Sequence, residues 1–401
     1  MNCNKAIEYI YSLGMFSYPP SLSRMEEAVK ALGCINKFPV IHIAGTNGKG
    51  SVAAMCSSAL KKEGYKTGLF ISPHIIDFRE RIQINGEYIG EEDLARITER
   101  IKNCGLPLTE FEFITLIALI YFGEQKIDVG VIETGLGGRL DATNIMENKL
   151  ISVITKIGLD HTNILGNSLE LITKEKCGII KSARTVSNPR QPNGVCDIIK
   201  AHSKELIIPD SDRLEIIKSD AFGNEFIYDK TRYITGMSGS YQIDNAVTAI
   251  ETLRNCGLKV SDESIKEGVF RGFMPGRMQM VSKKPIIIVD GAHNPDGAAV
   301  LARMLEKASP VTAIVGVMRD KDYEEVLKIT LKYVGRTICV KACDYGRALP
   351  AEELSVAAKK YCRDVSCEPN LKAALKSAKK SDDPIFVFGS LYLASDFLKL
   401  F

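Results

Sequence analysis

Residues 45 to 51 read Gly-Thr-Asn-Gly-Lys-Gly-Ser, directly after the apolar run Val40 to Ala44 and before a helical stretch that the pattern starts near Ser51. Strand, glycine loop, lysine and hydroxyl, then helix is the physical recipe for a phosphate cradle, because backbone N–H groups and a helix N-terminus face the anion. Lys49 would add a point charge for the β- and γ-phosphates. The spacing departs from G-x-x-x-x-G-K-[ST], since Ile43 stands at the first glycine position and Gly50 separates Lys49 from Ser51. The plainer alternative is a glycine turn that only caps a helix. A phosphate loop alone does not choose between a transport ATPase, a kinase, a regulator and a ligase.

Three other strand ends carry polar groups. Ser72-Pro73-His74 follow TGLFI, Glu133 closes DVGVIE, and Asp160-His161 follow LISVIT. In an open α/β sheet, ligands collect at the carboxyl ends of strands. A carboxylate, a histidine nitrogen and a serine hydroxyl could share a Mg²⁺ with ATP oxygens, because Mg²⁺ takes few protein ligands and completes its shell with phosphates. Histidine is an unusual ligand for that ion, so His161 reads equally as a ligand or as a hydrogen-bonded loop residue. The glycines of Thr134 to Arg139 would allow close backbone approach.

The elements that must position these groups alternate β and α. VIHIA, TGLFI, DVGVIE and LISVIT are separated by amphipathic stretches, the signature of a parallel sheet covered by helices. Between about 205 and 236 the segments LIIPD, RLEIIKSD, NEFIYD and TRYITG predict a small antiparallel sheet. Helices resume at 241 to 254 and 261 to 270. Residues 273 to 285 break the periodicity with Pro, Gly and a Lys pair and read as a linker. A βα rhythm then restarts with PIIIVD, VTAIVGV, TICVKA and PIFVFG. The expected architecture is α/β, with a large P-loop ATPase-like domain over 1–278 and a smaller Rossmann-like domain over 279–401.

Composition narrows the class. The charge balance of 52 Lys+Arg against 49 Asp+Glu lacks the basic excess that nucleic-acid binding usually leaves. The longest apolar stretch, 113 to 122, is about half of a membrane span, and it reads as a buried helix. No secretory signal is read at the N-terminus. The 11 cysteines form no Cys-x-x-Cys pair, which argues against a disulfide framework and a structural zinc site. A cytoplasmic chain with free, buried thiols is expected.

Ten segments occur together in one order: GTNGKGS, ISPHIIDFRERI, TEFEF, ETGLGGRLDATN, TKIGLDHTNILG, KEKCGIIK, GSYQIDNA, PGR, DGAHNP and GSLYL. Over nearly the whole chain this resembles the folylpolyglutamate synthase and dihydrofolate synthase family of the Mur-ligase superfamily. The resemblance implies that ATP phosphorylates a carboxylate to an acyl phosphate, which the glutamate amine attacks to give an amide, ADP and phosphate. It places Asn47, Gly48, Lys49, Gly50 and Ser51 on the ATP phosphates and Ser72, Glu133 and His161 on Mg²⁺. Lys176 matches a lysine carried as a carbamate that helps hold a second Mg²⁺, whereas composition alone reads it as a solvated helix charge. Asn245, Arg277, Asp290 and His293 match positions facing ATP, with Lys49, Lys176 and His293 as the catalytic set. Asp290 and Asn294 also read as turn and N-cap residues.

For the acceptor substrate the resemblance points to Thr109, Glu110, Phe111 and Glu112, and to Leu140, Asp141 and Ala142. A pterin offers adjacent N–H donors and a flat face, which carboxylates beside aromatics suit; Phe113 reads as core. The expected substrates are ATP, L-glutamate and tetrahydrofolate or its polyglutamate, with dihydropteroate left open, on a monomer with no nucleic-acid or membrane partner. Tyr241, Cys177, Ile71 and Gln279 depart from the family pattern, and the tryptophan before PGR is absent. Two rival readings are a Mur ligase with a non-folate carboxylate substrate and a P-loop regulatory NTPase. The first would need a separate N-terminal domain, and only 44 residues precede Gly45.

Overall fold

A computed structural model describes residues 1–14, 17–33, 38–220, 223–343 and 346–401. The strands are β1 (Val40–Ala44), β2 (Thr67–Phe70), β3 (Ile82–Ile84), β4 (Glu87–Tyr88), β5 (Val129–Glu133), β6 (Lys149–Ile154), β7 (Arg184–Ser187) and β8 (Glu205–Ile207). They form one sheet in the order β4-β3-β2-β5-β1-β6-β7-β8. In the order from β2 to β8 every neighbouring pair is parallel, and the pairs β2–β3 and β3–β4 are antiparallel. Strands β1 and β5 are buried at every position, as expected where helices cover both faces of a parallel sheet.

The helix Glu110–Glu124 lies within the core beside this sheet. Its run from Phe113 to Ile120 is buried, and Phe113 and Phe122 join a cluster with Phe38, Phe70 and Phe78. A helix apolar on all faces is a core helix, and no helix among the described residues is long and apolar enough to cross a membrane.

Three further strands, β9 (Leu214–Asp220), β10 (Gly223–Tyr228) and β11 (Thr231–Thr235), make a sheet ordered β11-β10-β9. Here the sequence expectation needs a correction. Residues 205–207 do not join this small sheet; β8 pairs in parallel with β7 at the edge of the large one. Its short apolar run carries no mark of which partner it takes.

The chain divides into two compact units, Met1–Glu215 with Ile227–Ile234 and Asp244–Phe273, and Ile216–Phe226 with Thr235–Ile243 and Met274–Phe401. The second contains β12 (Gln279–Lys283), β13 (Ile286–Val289), β14 (Thr312–Val315), β15 (Arg336–Cys339), β16 (Asp364–Cys367) and β17 (Ile385–Phe388), ordered β12-β13-β17-β14-β15-β16. All neighbours are parallel except β12 and β13. The segment read as a linker therefore contains a strand, half-exposed and polar enough to hide its pairing. The cysteines described are free, but Cys104 and Cys367 are exposed rather than buried.

Phe113→Ala should lower unfolding free energy by about 3–5 kcal/mol, because it opens a large cavity in the first unit's core. Denaturant unfolding measures this, and a loss below about 1 kcal/mol would contradict the packing described.

Candidate functional site

Parallel register brings four loops of the first unit to one sheet edge. β2, β5, β1 and β6 are consecutive neighbours, so the segments after Phe70, Glu133, Ala44 and Ile154 leave the sheet side by side. The loop after Ala44 is drawn toward the next strand: Thr46 and Asn47 both donate their backbone N–H to the Lys156 carbonyl, at 2.8 and 3.1 Å. Thr46 Oγ1 exchanges hydrogen bonds with Gly158, donating to its carbonyl at 2.9 Å and accepting its N–H at 3.0 Å. The Asn47 N–H, in a segment that the resemblance gives to phosphate, is thus spent on the fold.

The donors that remain belong to the helix Lys49–Glu63, which starts two residues earlier than the pattern indicated. Its N-cap is Gly48 at φ 92°, and no side chain caps it. The first N–H groups of a helix lack intrahelical partners, and an uncapped N-terminus is an anion site. Gly48 is required twice over. Its φ is left-handed, and a β-carbon there would overlap the Asn245 side-chain amide. The structure therefore sets Asn245 against the phosphate loop, although 196 residues of sequence separate it from Lys49. Gly45, at φ 153°, likewise leaves no room for a β-carbon beside Thr155.

Lys49 Nζ lies 3.7 Å from Glu133 Oε1, and Glu133 Oε2 accepts the Ser72 backbone N–H at 3.2 Å. Three proposed site residues thus meet at the edge, around a buried carboxylate. Lys176 sits in the helix Leu169–Cys177, but it is buried, which excludes the solvated helix charge. Its Nζ donates to the Gly45 carbonyl at 2.8 Å. Burial, reinforced by Lys49, lowers its pKa to about 7. His161 is more exposed than the others: its Nε2 is 4.0 Å from Asp160 Oδ2, and its N–H bonds Asp160 Oδ1 at 2.8 Å. Its φ of 52° is left-handed, a conformation that costs energy in a non-glycine residue and recurs at functional sites.

The acceptor segments also carry architecture. Thr109 and Glu112 form a reciprocal capping box at the start of the helix Glu110–Glu124. Glu112 Oε2 takes the Thr109 N–H and hydroxyl at 2.8 and 2.9 Å, while Arg24 Nη2 reaches Oε1 at 2.7 Å. Glu112 is a buried staple, and Arg24 is a partner that the sequence reading missed. Asp141 is similarly committed, taking Leu136 N–H on Oδ2 at 2.8 Å and Thr143 N–H on Oδ1 at 3.0 Å. Ala142 is core, and Leu140 is half-buried. Glu110 keeps a looser partner, Arg81 at 3.8 Å, and burial raises its pKa. Phe111 lies so close to Gly135 that a β-carbon there would overlap its ring, so the glycine-rich loop and the aromatic meet.

In the second unit, Asp290 follows β13 and is buried. Its Oδ1 takes the Ala292 N–H and its Oδ2 the Met278 N–H, both at 2.8 Å. Burial raises its pKa, and nearby Arg277 opposes that rise. Met278, beside Arg277, is held at φ 44°, a left-handed position that a bulky residue occupies only under constraint. His293 Nδ1 is 2.9 Å from the Gly291 carbonyl, and Asn294 caps the next helix through the Gly297 N–H at 2.8 Å. The turn and cap roles are thus present at both Asp290 and Asn294.

Gly48→Ala should weaken nucleotide binding by about tenfold or more, since it strains the loop and displaces Asn245. Calorimetric titration with ADP checks this; unchanged affinity with an intact circular-dichroism spectrum would contradict it.

Residues 43–253 match the Mur ligase middle domain, and residues 277–400 match the C-terminal domain of dihydrofolate synthetase. The dihydrofolate synthase/folylpolyglutamate synthase of Bacillus subtilis is 34% identical over 98% of each chain. That of Escherichia coli is 32% identical over 98% of this chain and 94% of its own. Among solved structures, E. coli FolC in complex with DHPP and ADP superposes with a TM-score of 0.89 at 29% identity, covering 100% of this chain and 97% of the other. Mycobacterium tuberculosis folylpolyglutamate synthase complexed with ADP and AMPPCP gives 0.88 at 27%, over 99% and 98%. With an uncapped helix N-terminus, a buried carboxylate beside Lys49, and relatives matched from end to end, this chain belongs to the dihydrofolate synthase/folylpolyglutamate synthase family of Mur-type ligases.

Proposed function

We propose that the chain is an ATP-dependent ligase that adds L-glutamate to a folate carboxylate and also accepts dihydropteroate, the two activities named for its B. subtilis and E. coli relatives. The observation that carries this reading is the convergence of an uncapped helix N-terminus, Lys49 and the buried Glu133 at one sheet edge. A neighbouring loop there lies against Phe111, beside Glu110, a buried carboxylate whose ion pair with Arg81 is loose at 3.8 Å.

The reaction follows from these groups. The acceptor carboxylate attacks the γ-phosphorus of ATP and ADP leaves, its charge balanced by Lys49 and the helix N-terminus. Neutralising that charge is most of what phosphoryl transfer asks of a protein. The glutamate amine then adds to the acyl phosphate, and the tetrahedral intermediate releases phosphate and a proton to leave the amide. Asn47, Gly48, Gly50, Ser51 and Asn245 belong to the phosphate side. Arg277, Asp290 and His293, which the resemblance implies face ATP, lie in the second unit.

The donors at the edge fit Mg²⁺: a buried carboxylate and a serine hydroxyl are hard oxygen ligands. Ser72, Glu133 and His161 would hold the ion, which when bound supplies further neutralisation of phosphate charge. Lys176 suits carbamylation, because CO₂ adds only to a neutral amine and its lowered pKa makes that form abundant near pH 7. The carbamate would put an anion next to Lys49 in place of the neutral amine, which would help to hold a second Mg²⁺.

The purified protein should form ADP only when a pteroate or folate substrate and glutamate are both present, with a glutamylated product seen by mass spectrometry. Turnover without either substrate would sink the ligase reading. Because protonation below about pH 7 removes the neutral amine, activity should fall on the acid side and recover with added bicarbonate. Lys176→Ala should lose this bicarbonate response and most activity, and short carboxylic acids should restore part of it. Full activity in that variant would exclude the carbamate.

A further inference from the structure

The strand that delivers the phosphate loop is apolar at every position but one. β1 reads Val-Ile-His-Ile-Ala, and its His42 is fully buried. His42 Nε2 lies 2.8 Å from Thr143 Oγ1. That hydroxyl is 2.5 Å from Asp141 Oδ1, and Asp141 Oδ2 takes the Leu136 N–H at 2.8 Å. A hydroxyl has one proton to give, and a carboxylate can only accept. Thr143 therefore donates to Asp141 and accepts from His42, which assigns the imidazole proton to Nε2.

This assignment leaves His42 Nδ1 as an acceptor, and it is buried without a hydrogen-bond partner. The ring is neutral: burial, with Lys149 and Lys181 nearby, holds its pKa well below the usual histidine value. A strand built only for packing would carry another aliphatic residue here and avoid the orphaned nitrogen. Asn144, next along the same segment, is independently anchored by Lys149 Nζ at 2.5 Å, so the loop's far end does not need the histidine.

We propose that His42 is a positioning residue that ties the acceptor loop, residues 134–145, to the strand carrying the phosphate loop. The inference rests on the ligase reading above. The attacking carboxylate and the γ-phosphate are held by different loops, yet the reacting atoms must approach within about 3–3.5 Å. His42 lies three residues before Gly45, and Leu136 lies three residues after Glu133. The relay His42–Thr143–Asp141–Leu136 thus fixes the start of one loop against the start of the other.

The test compares His42→Leu and Thr143→Val, which break the relay, with His42→Gln and Thr143→Ser, which retain a donor or the hydroxyl. The breaking variants should raise KM for dihydropteroate about tenfold while KM for ATP changes by less than about twofold, and the conservative pair should fall between them and wild type. Hydrogen exchange should quicken in 134–145 and stay unchanged in 49–63. Should His42→Leu fail to fold, the Thr143 pair carries the comparison. Equal impairment in conservative and breaking variants, a parallel rise in KM for ATP, or unchanged exchange in 134–145 would overturn the relay. Wild-type turnover that needs no pteroate substrate would instead defeat the ligase reading, and exchange would then decide the relay alone.

Discussion

Everything the first unit offers to chemistry depends on the parallel register of β2, β5, β1 and β6. Parallel neighbours end at the same edge, so residues far apart in sequence, such as Ser72, Lys49 and Glu133, arrive within a few ångströms without any loop having to reach for them. The register also explains how the loop after β1 is tied to the neighbouring strand's segment. Lys156 follows β6, the direct neighbour of β1, and its carbonyl secures the loop through two N–H groups. The loop gives up those donors and keeps only the ones at the helix N-terminus. Their direction is set by the helix axis, which makes them a fixed cradle rather than an adaptable one.

Electrostatics at that edge are finely balanced. Two unit charges at about 4 Å interact by about 4 kcal/mol at an effective dielectric of about 20, so the Lys49–Glu133 pair at 3.7 Å matters to the protonation of its neighbours. Lys176 is buried close enough to Lys49 to feel its charge. A second ammonium there would be both desolvated and repelled, and the neutral amine is the physical response. The proposed carbamylation would turn that neutral amine into an anion that attracts a metal. The same burial that makes Lys176 a poor cation makes it a good candidate for modification.

How much of this could be read from the sequence depends on the range of the signal. The phosphate loop and the polar strand ends were legible because glycine, lysine and strand patterns act within a few residues. The capping box was not separated from substrate chemistry, because Thr109-x-x-Glu112 is a local signature that an acceptor-site motif overlays. Only Arg24, 88 residues away, shows that Glu112 has no valence left for a ligand. The strand β12 was lost because its residues are half-exposed and polar, as an antiparallel edge strand's are. The burial of Lys176 cannot be read from its helix, since the neighbouring Lys174 and Glu175 are ordinary surface residues.

Two of the departures from the family pattern, Tyr241 and Gln279, lie in the second unit, and their effect can be argued from what they touch. Tyr241 packs against the unit's hydrophobic core, where the resemblance places a histidine. Burial and the nearby Asp290 push its phenol pKa up, so the ring is neutral throughout the working pH range. A histidine there would carry a titratable cation beside Asp290. With tyrosine, Arg277 is the cation that acts on that carboxylate. Gln279 compensates in geometry for the acid it replaces, since its Oε1 takes the Gly276 N–H at 2.9 Å and steadies the Pro-Gly-Arg turn. The turn is further fixed by Gly291, whose N–H bonds the Gly276 carbonyl at 2.8 Å. Arg277 is thus positioned by backbone and amide contacts that need no ionised partner. The substitutions remove charge from around Asp290 without loosening the segment that presents Arg277.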